Sequence, residues 1–214
     1  TEVKRLHAPY GRASLAAALV LFVVAVSLAL RPVPFAGYWL VMGHLELDAG
    51  DVDKAAEDLK HAADRAGDDD PRVLLLDARL AVHQGDLDTG RGLVDRAFAA
   101  VGGAKGLGLA LGQLRKYDPE RGLFEDEAYT NVVCQTLVNR GPVVPEIWND
   151  CAWFALRAKD RLLHDPKAGL RLASAAVAHQ SDPEPQIFHT LAEAYAQNGD
   201  VSEASHMMER VLVM

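Results

Sequence analysis

The sequence predicts an all-α protein in which one N-terminal transmembrane helix is followed by a solenoid of antiparallel helical hairpins. Three observations predict it. An uncharged apolar run of 18 residues, "ASLAAALVLFVVAVSLAL", lies between Arg12 and Arg31. A Gly-Asp pair recurs at Gly50-Asp51, Gly85-Asp86 and Gly199-Asp200, each time between stretches whose apolar residues follow helical periodicity. Half of the 214 residues are apolar, enough to bury a core.

Residues 1–12 read as a cytoplasmic tail and 13–30 as the membrane span. At 1.5 Å per residue such a helix covers about 27 Å, just sufficient for the hydrocarbon core of a bilayer. Tyr10 on one side, and Tyr38 with Trp39 on the other, suit the two interfaces. Lys4, Arg5 and Arg12 precede the span and only Arg31 closely follows it. The positive-inside rule therefore puts the N-terminus in the cytoplasm and the rest of the chain outside. A cleaved secretory signal is the alternative, with Ser27-Leu28-Ala29 as a passable cleavage site. Ser14, Ala18, Ala25 and Ala29 place small side chains on one face of the span, where another helix could pack closely.

After a linker at 31–36, residues 37–214 divide into units. Aligning Gly50 with Gly85 gives a step of 35 residues. Trp39, Met42, Gly43, Ala55, Leu59 and Ala62 then share slots with Leu74, Asp77, Ala78, Gly90, Val94 and Ala97, and with Phe188, Leu191, Ala192, Ala204, Met208 and Val211. Small residues recur where two helices of a hairpin must cross closely. The glycine suits a left-handed helix end, and the aspartate suits the cap of the next helix. Regular hairpins are expected at 37–70, 71–100 and 185–214. The pattern resembles the tetratricopeptide repeat, a helical hairpin of about 34 residues, in its membrane-anchored bacterial form.

Between 101 and 140 the pattern breaks. A short helix over Leu107–Tyr117 and a second over Glu125–Asn139 read as a degenerate hairpin. The stretch 145–182 reads as an extended hairpin in which Ala152 and Ala168 hold the small slots, 16 residues apart rather than 12. The extra residues are expected to lengthen both helices by about a turn around the "HDP" connection. Cys134 and Cys151 flank the turn at Gly141-Pro142 at similar distances. In an oxidising compartment they could form a disulfide; buried free thiols are the alternative.

No cofactor chemistry stands out. Gly103-Ala104-Lys105-Gly106 lacks the Lys-Ser or Lys-Thr of a phosphate loop, and the spacing of Gly106, Gly108 and Gly112 does not fit a dinucleotide fingerprint. None of the eight histidines pairs with another at i, i+4, so no zinc-protease signature is present. The net charge of −8, more acidic still beyond residue 31, disfavours a nucleic-acid partner. No cofactor, metal, small-molecule substrate or enzymatic activity is expected.

The resemblance implies a concave groove lined by first helices at Leu40, His44, Leu75, Arg79, Asn149, Trp153, His189 and Glu193. Family members that clamp a peptide carboxylate place Lys, Arg and Asn at such slots. Only Arg79 and Asn149 match, while Leu40, Leu75 and Trp153 favour an apolar segment; Trp153 suits the core equally well. In the last helix Met207, Val211, Leu212 and Met214 form a surface that a partner would cover or that packs back on the preceding hairpin. Together these features suggest a scaffold or accessory subunit of a complex in a bacterial inner membrane, with its repeat domain in the periplasm. Its partners would be other membrane-protein subunits, with lipid around residues 13–30. A periplasmic assembly factor or chaperone that binds client polypeptides is the alternative.

Overall fold

The computed structural model describes residues 35–101, 106, 108–110, 112, 117–118, 123–124, 126–140 and 144–214. The expected tail 1–12, the span 13–30 and its small face (Ser14, Ala18, Ala25, Ala29) lie outside the described residues. Among those described, no helix is long and apolar enough to cross a membrane.

The described chain is helical: α1 (Ala36–Ala49), α2 (Val52–Ala66), α3 (Pro71–His83), α4 (Leu87–Ala100), α5 (Glu127–Asn139), α6 (Pro145–Arg157), α7 (Pro166–Ala178), α8 (Pro185–Gln197) and α9 (Val201–Leu212). Four hairpins, α1–α2, α3–α4, α6–α7 and α8–α9, carry the most extensive helix–helix packing. They stack in chain order, α2 on α3 and α7 on α8, while α3 also meets α1 and α8 also meets α6. The result is a helical-repeat array of the kind expected for an α-solenoid.

The Gly-Asp pairs close three of these hairpins by one device. Gly50, Gly85 and Gly199 adopt φ of 81°, 85° and 87°, a region that a side chain disfavours. The following Asp51, Asp86 and Asp200 donate their N–H groups to Glu46, Ala81 and Tyr195 carbonyls at 2.8, 2.9 and 3.0 Å, completing the end of the first helix. Their carboxylates then accept from Lys54, Thr89 and Glu203 N–H, starting the second helix. Each such cap contributes about 1 kcal/mol. The other helices start mostly with proline at the first turn, at Pro71, Pro145, Pro166 and Pro185, where no N–H is needed.

Helix α5 packs on α3 and α4 much as α3 packs on α1 and α2, in line with the row of first helices. Three expectations for the middle of the chain are corrected. Tyr117–Asp118 pairs antiparallel with Leu123–Phe124, a two-residue ladder where a helix end was expected. The additional residues of the 145–182 hairpin lie in the connection from Ala158 to Asp165, a series of bends and turns, and do not lengthen α6 or α7. Its small crossing residue is Gly169, not Ala168. A Cβ there would meet Leu156 Cγ at 2.8 Å and the Ala152 carbonyl at 3.4 Å.

The buried apolar residues form a first cluster around Leu47, Ala62 and Leu76 and a central one around Leu75, Val94, Tyr129 and Phe154. A third centres on Leu156, Phe188 and Ala192. The central cluster joins α3 and α4 to α5 and α6, so the irregular middle is part of the core.

Candidate functional site

The first-helix faces of α1 and α3 supply Leu40, His44, Leu75 and Arg79, spaced to lie on one side of the array. Leu40 and Leu75 are buried at 6% and 1% exposure, and an open groove of about 280 Å³ beside them is lined also by Val41 and Leu109. Arg79 is 1% exposed. Its Nε donates to Asp126 Oδ2 at 2.9 Å and a terminal nitrogen pairs with Asp48. The other terminal nitrogen donates to the His44 carbonyl at 3.3 Å and lies 3.3 Å from His44 Nδ1. His83 Nε2 lies 2.8 Å from the same Asp126 oxygen.

Asp126 is also the N-cap of α5, where its other carboxylate oxygen accepts from Tyr129 N–H at 3.0 Å. Burial works against its charge; the Tyr129 N–H, Arg79 and His83 outweigh that and hold its carboxyl below the usual range. Burial likewise opposes the charge on Arg79, and the two carboxylates outweigh it, raising its pKa. Tyr129, whose hydroxyl burial pushes up, donates to the Leu75 carbonyl at 3.3 Å. Three elements of the sequence, α1, α3 and the start of α5, thus meet at one guanidinium, and the cation expected to face a ligand is held by the protein's own carboxylates.

In the second half, α6 presents Asn149, Trp153 and Arg157 at successive i, i+4 positions toward His189 and Glu193 of α8. Asn149 is buried at 6% exposure and its Oδ1 has no hydrogen-bond partner, as is also true of Arg157 Nε. The Arg157 guanidinium lies 4.5 Å from the centre of the Trp153 ring and 3.4 Å from Glu193. Trp153, half-buried, stands 6.1 Å from the exposed His189 ring, centre to centre. Gln197 donates to Glu193 at 2.8 Å and to the Leu156 carbonyl at 3.3 Å, ordering this edge.

The eight groove positions therefore divide into two clusters. Leu40, Leu75, Arg79 and Asn149 are buried; Trp153, His44 and Glu193 are partly accessible; His189 is exposed. Asp48, His83, Asp126 and Arg157 complete the clusters, and sequence reasoning did not include them. A signal existed for Asp126 alone, an aspartate placed just before a helical stretch. Nothing in the sequence pairs it with Arg79, 47 residues away.

Cys134 and Cys151 lie side by side between α5 and α6 as free, buried thiols in hydrogen-bond contact, so no disulfide joins them. Burial, followed by that contact, pushes the Cys151 thiol well above its ordinary range. A cavity of about 330 Å³ opens beside them, lined also by Gln135, Phe154, Arg171 and Leu172. At the C-terminal helix, Met207 is buried and Val211 packs against the last cluster, whereas Leu212 and Met214 are 81% and 58% exposed. Only the latter two remain on the expected open surface. Trp39 packs on the His61 ring at 4.5 Å between centres and lies near Arg65.

Among the described residues no cluster of three or more His, Cys, Asp or Glu is placed to hold a metal ion. No protein-family model matches the chain, and no curated protein matches it significantly.

Proposed function

We propose that the chain is a membrane-anchored, tetratricopeptide-like scaffold or accessory subunit that holds other subunits of a bacterial inner-membrane complex. Residues 13–30 would anchor it in the bilayer and the helical array would stand on the periplasmic side. The observation that carries this reading is the state of Arg79. A groove built for transient peptide capture keeps its cation available, whereas here Asp126 and Asp48 occupy it. What remains for partners is the outer and terminal surface of a rigid stack, suited to lasting association. No catalytic role is assigned.

A second reading, an assembly factor that binds client polypeptides, is favoured by one feature. The exposed His189 ring stands beside the half-buried Trp153, next to Arg157 and Glu193, a patch that an extended chain could cover. One purification separates the two. The tagged full chain is solubilised in mild detergent, captured and washed with salt, and whatever remains bound is identified and quantified. Membrane subunits in fixed stoichiometry support the scaffold; varied, substoichiometric polypeptides support the client binder; an isolated monomer overturns the scaffold.

A further inference from the structure

Helix α1 departs from the pattern of the other outer surfaces. An amphipathic helix turns its polar side to water, as α2 does with Asp53, Lys54, Glu57 and Lys60, all exposed. In α1 the face toward the core holds Leu40, Gly43 and Leu47, and the opposite face is apolar too. Phe35, just before the helix, is 70% exposed. Tyr38, Val41 and Leu45 follow at 43%, 59% and 53%. The spacing of three, three and four residues aligns them in one stripe. Neither Asp, Glu, Lys nor Arg occurs from residue 32 to residue 45; the first charge is Glu46, in the last turn.

We propose that this stripe rests on the surface of a lipid bilayer, with its rings and aliphatic groups at the boundary of headgroups and acyl chains. The proposal rests on the membrane-anchor reading above. What selects lipid as the occupant is reach. The 18-residue apolar run ends at Leu30, and the five residue steps from Leu30 to Phe35 span at most about 18 Å even when fully extended. Phe35 is therefore tethered within that distance of the membrane edge. An uncharged stripe about 15 Å long matches a helix lying about 5–10 Å into the interface. Tyr38 brings an apolar ring with a hydroxyl at its tip, the chemistry favoured at that depth. The acidic residues Glu46 and Asp48 come only at the far end, so the N-terminal end of α1 lies deepest and the array rises away from the surface.

The test uses the full chain in phosphatidylcholine vesicles, with an environment-sensitive fluorophore on Val41→Cys or Leu45→Cys. Ser202→Cys, exposed on α9, is the distant control. The parent protein, whose cysteines are buried, controls for stray labelling. Flotation resistant to alkaline carbonate reads the anchor; quenching by phospholipid brominated high on its acyl chains reads the stripe. The expected result is flotation, with labels at 41 and 45 quenched several-fold more than the label at 202. Adding Val41→Glu to the labelled Leu45→Cys chain should abolish most of that quenching and leave flotation unchanged. Flotation with labels at 41 and 45 open to aqueous iodide would overturn this proposal and leave the anchor standing. Flotation with the labels shielded from bromine and iodide alike would assign the stripe to a protein neighbour instead. Protein that does not float overturns both readings.

Discussion

Replacing Arg79 with methionine tests whether the buried ion cluster holds the irregular middle against the first two hairpins. Methionine keeps much of the aliphatic stem and removes the guanidinium. Asp126, only 11% exposed, then loses its guanidinium partner and keeps the Tyr129 N–H and His83. Removing one member of a buried pair typically costs about 3–5 kcal/mol. Asp48 is 42% exposed, so its share is screened and adds no more than about 1 kcal/mol. The surviving contacts to Asp126 argue for the lower end, about 3 kcal/mol in all. Asp126→Asn retains a good helix cap and removes only the charge. A double-mutant cycle of the two substitutions should therefore give a coupling of about 1.5–3 kcal/mol. Denaturant unfolding of the detergent-solubilised chain measures the energies, and amide hydrogen exchange in α5 should accelerate selectively in Arg79→Met. A loss below about 0.5 kcal/mol with unchanged exchange in α5 would refute the reasoning.

Other perturbations have definite expected outcomes. Because the folded pKa of Asp126 is depressed, its stabilisation is present above the unfolded value near about 3.9 and is lost as pH falls through the folded value. The stability gap between wild type and Asp126→Asn, measured by thermal melts from neutral to acid pH, should shrink below that point. Gly169→Ala should destabilise by about 1–3 kcal/mol because Leu156 and the Ala152 carbonyl leave no room, whereas Gly92→Ala, with nothing within 4 Å, should stabilise by about 0.5–1 kcal/mol; denaturation midpoints distinguish them. Asp58 is buried with one carboxylate oxygen unpartnered and its pKa raised by burial, so Asp58→Ala should gain about 1 kcal/mol at neutral pH. An unchanged or lower melting temperature would count against that assignment. Cys134 and Cys151 should resist alkylation in the folded protein and react at the rate of unfolding, followed by mass spectrometry.

The regular hairpins were legible because their punctuation is local. Gly50, Gly85 and Gly199 need a left-handed conformation and the next residue caps a helix, so four or five residues of sequence specify each turn. The middle was not legible for the opposite reason. The place of α5 is decided by long-range packing of Tyr129, Val132 and Val133 into the central cluster, and its helical periodicity is the same whichever row it joins. The 145–182 connection was misplaced because a count of residues between small slots does not say whether the surplus is helix or loop. The groove positions were found by register. Their availability depended on Asp126, a residue from another element, and on burial that no periodicity reports.

Asp126 and Glu127 are neighbours in the chain, yet they face different halves of the molecule. Asp126 holds Arg79 of α3, while the two Glu127 carboxylate oxygens accept the backbone N–H groups of Lys159 and Asp160 at 2.8 and 2.9 Å, in the connection between α6 and α7. One acidic dipeptide thus works as a clasp across the seam of the array. These two side chains, together with the central apolar cluster, hold the first two hairpins to the last two, and with them the distance between anything docked at either end. Changing the length of residue 127 offers a way to alter the curvature of the whole stack while leaving both terminal surfaces intact.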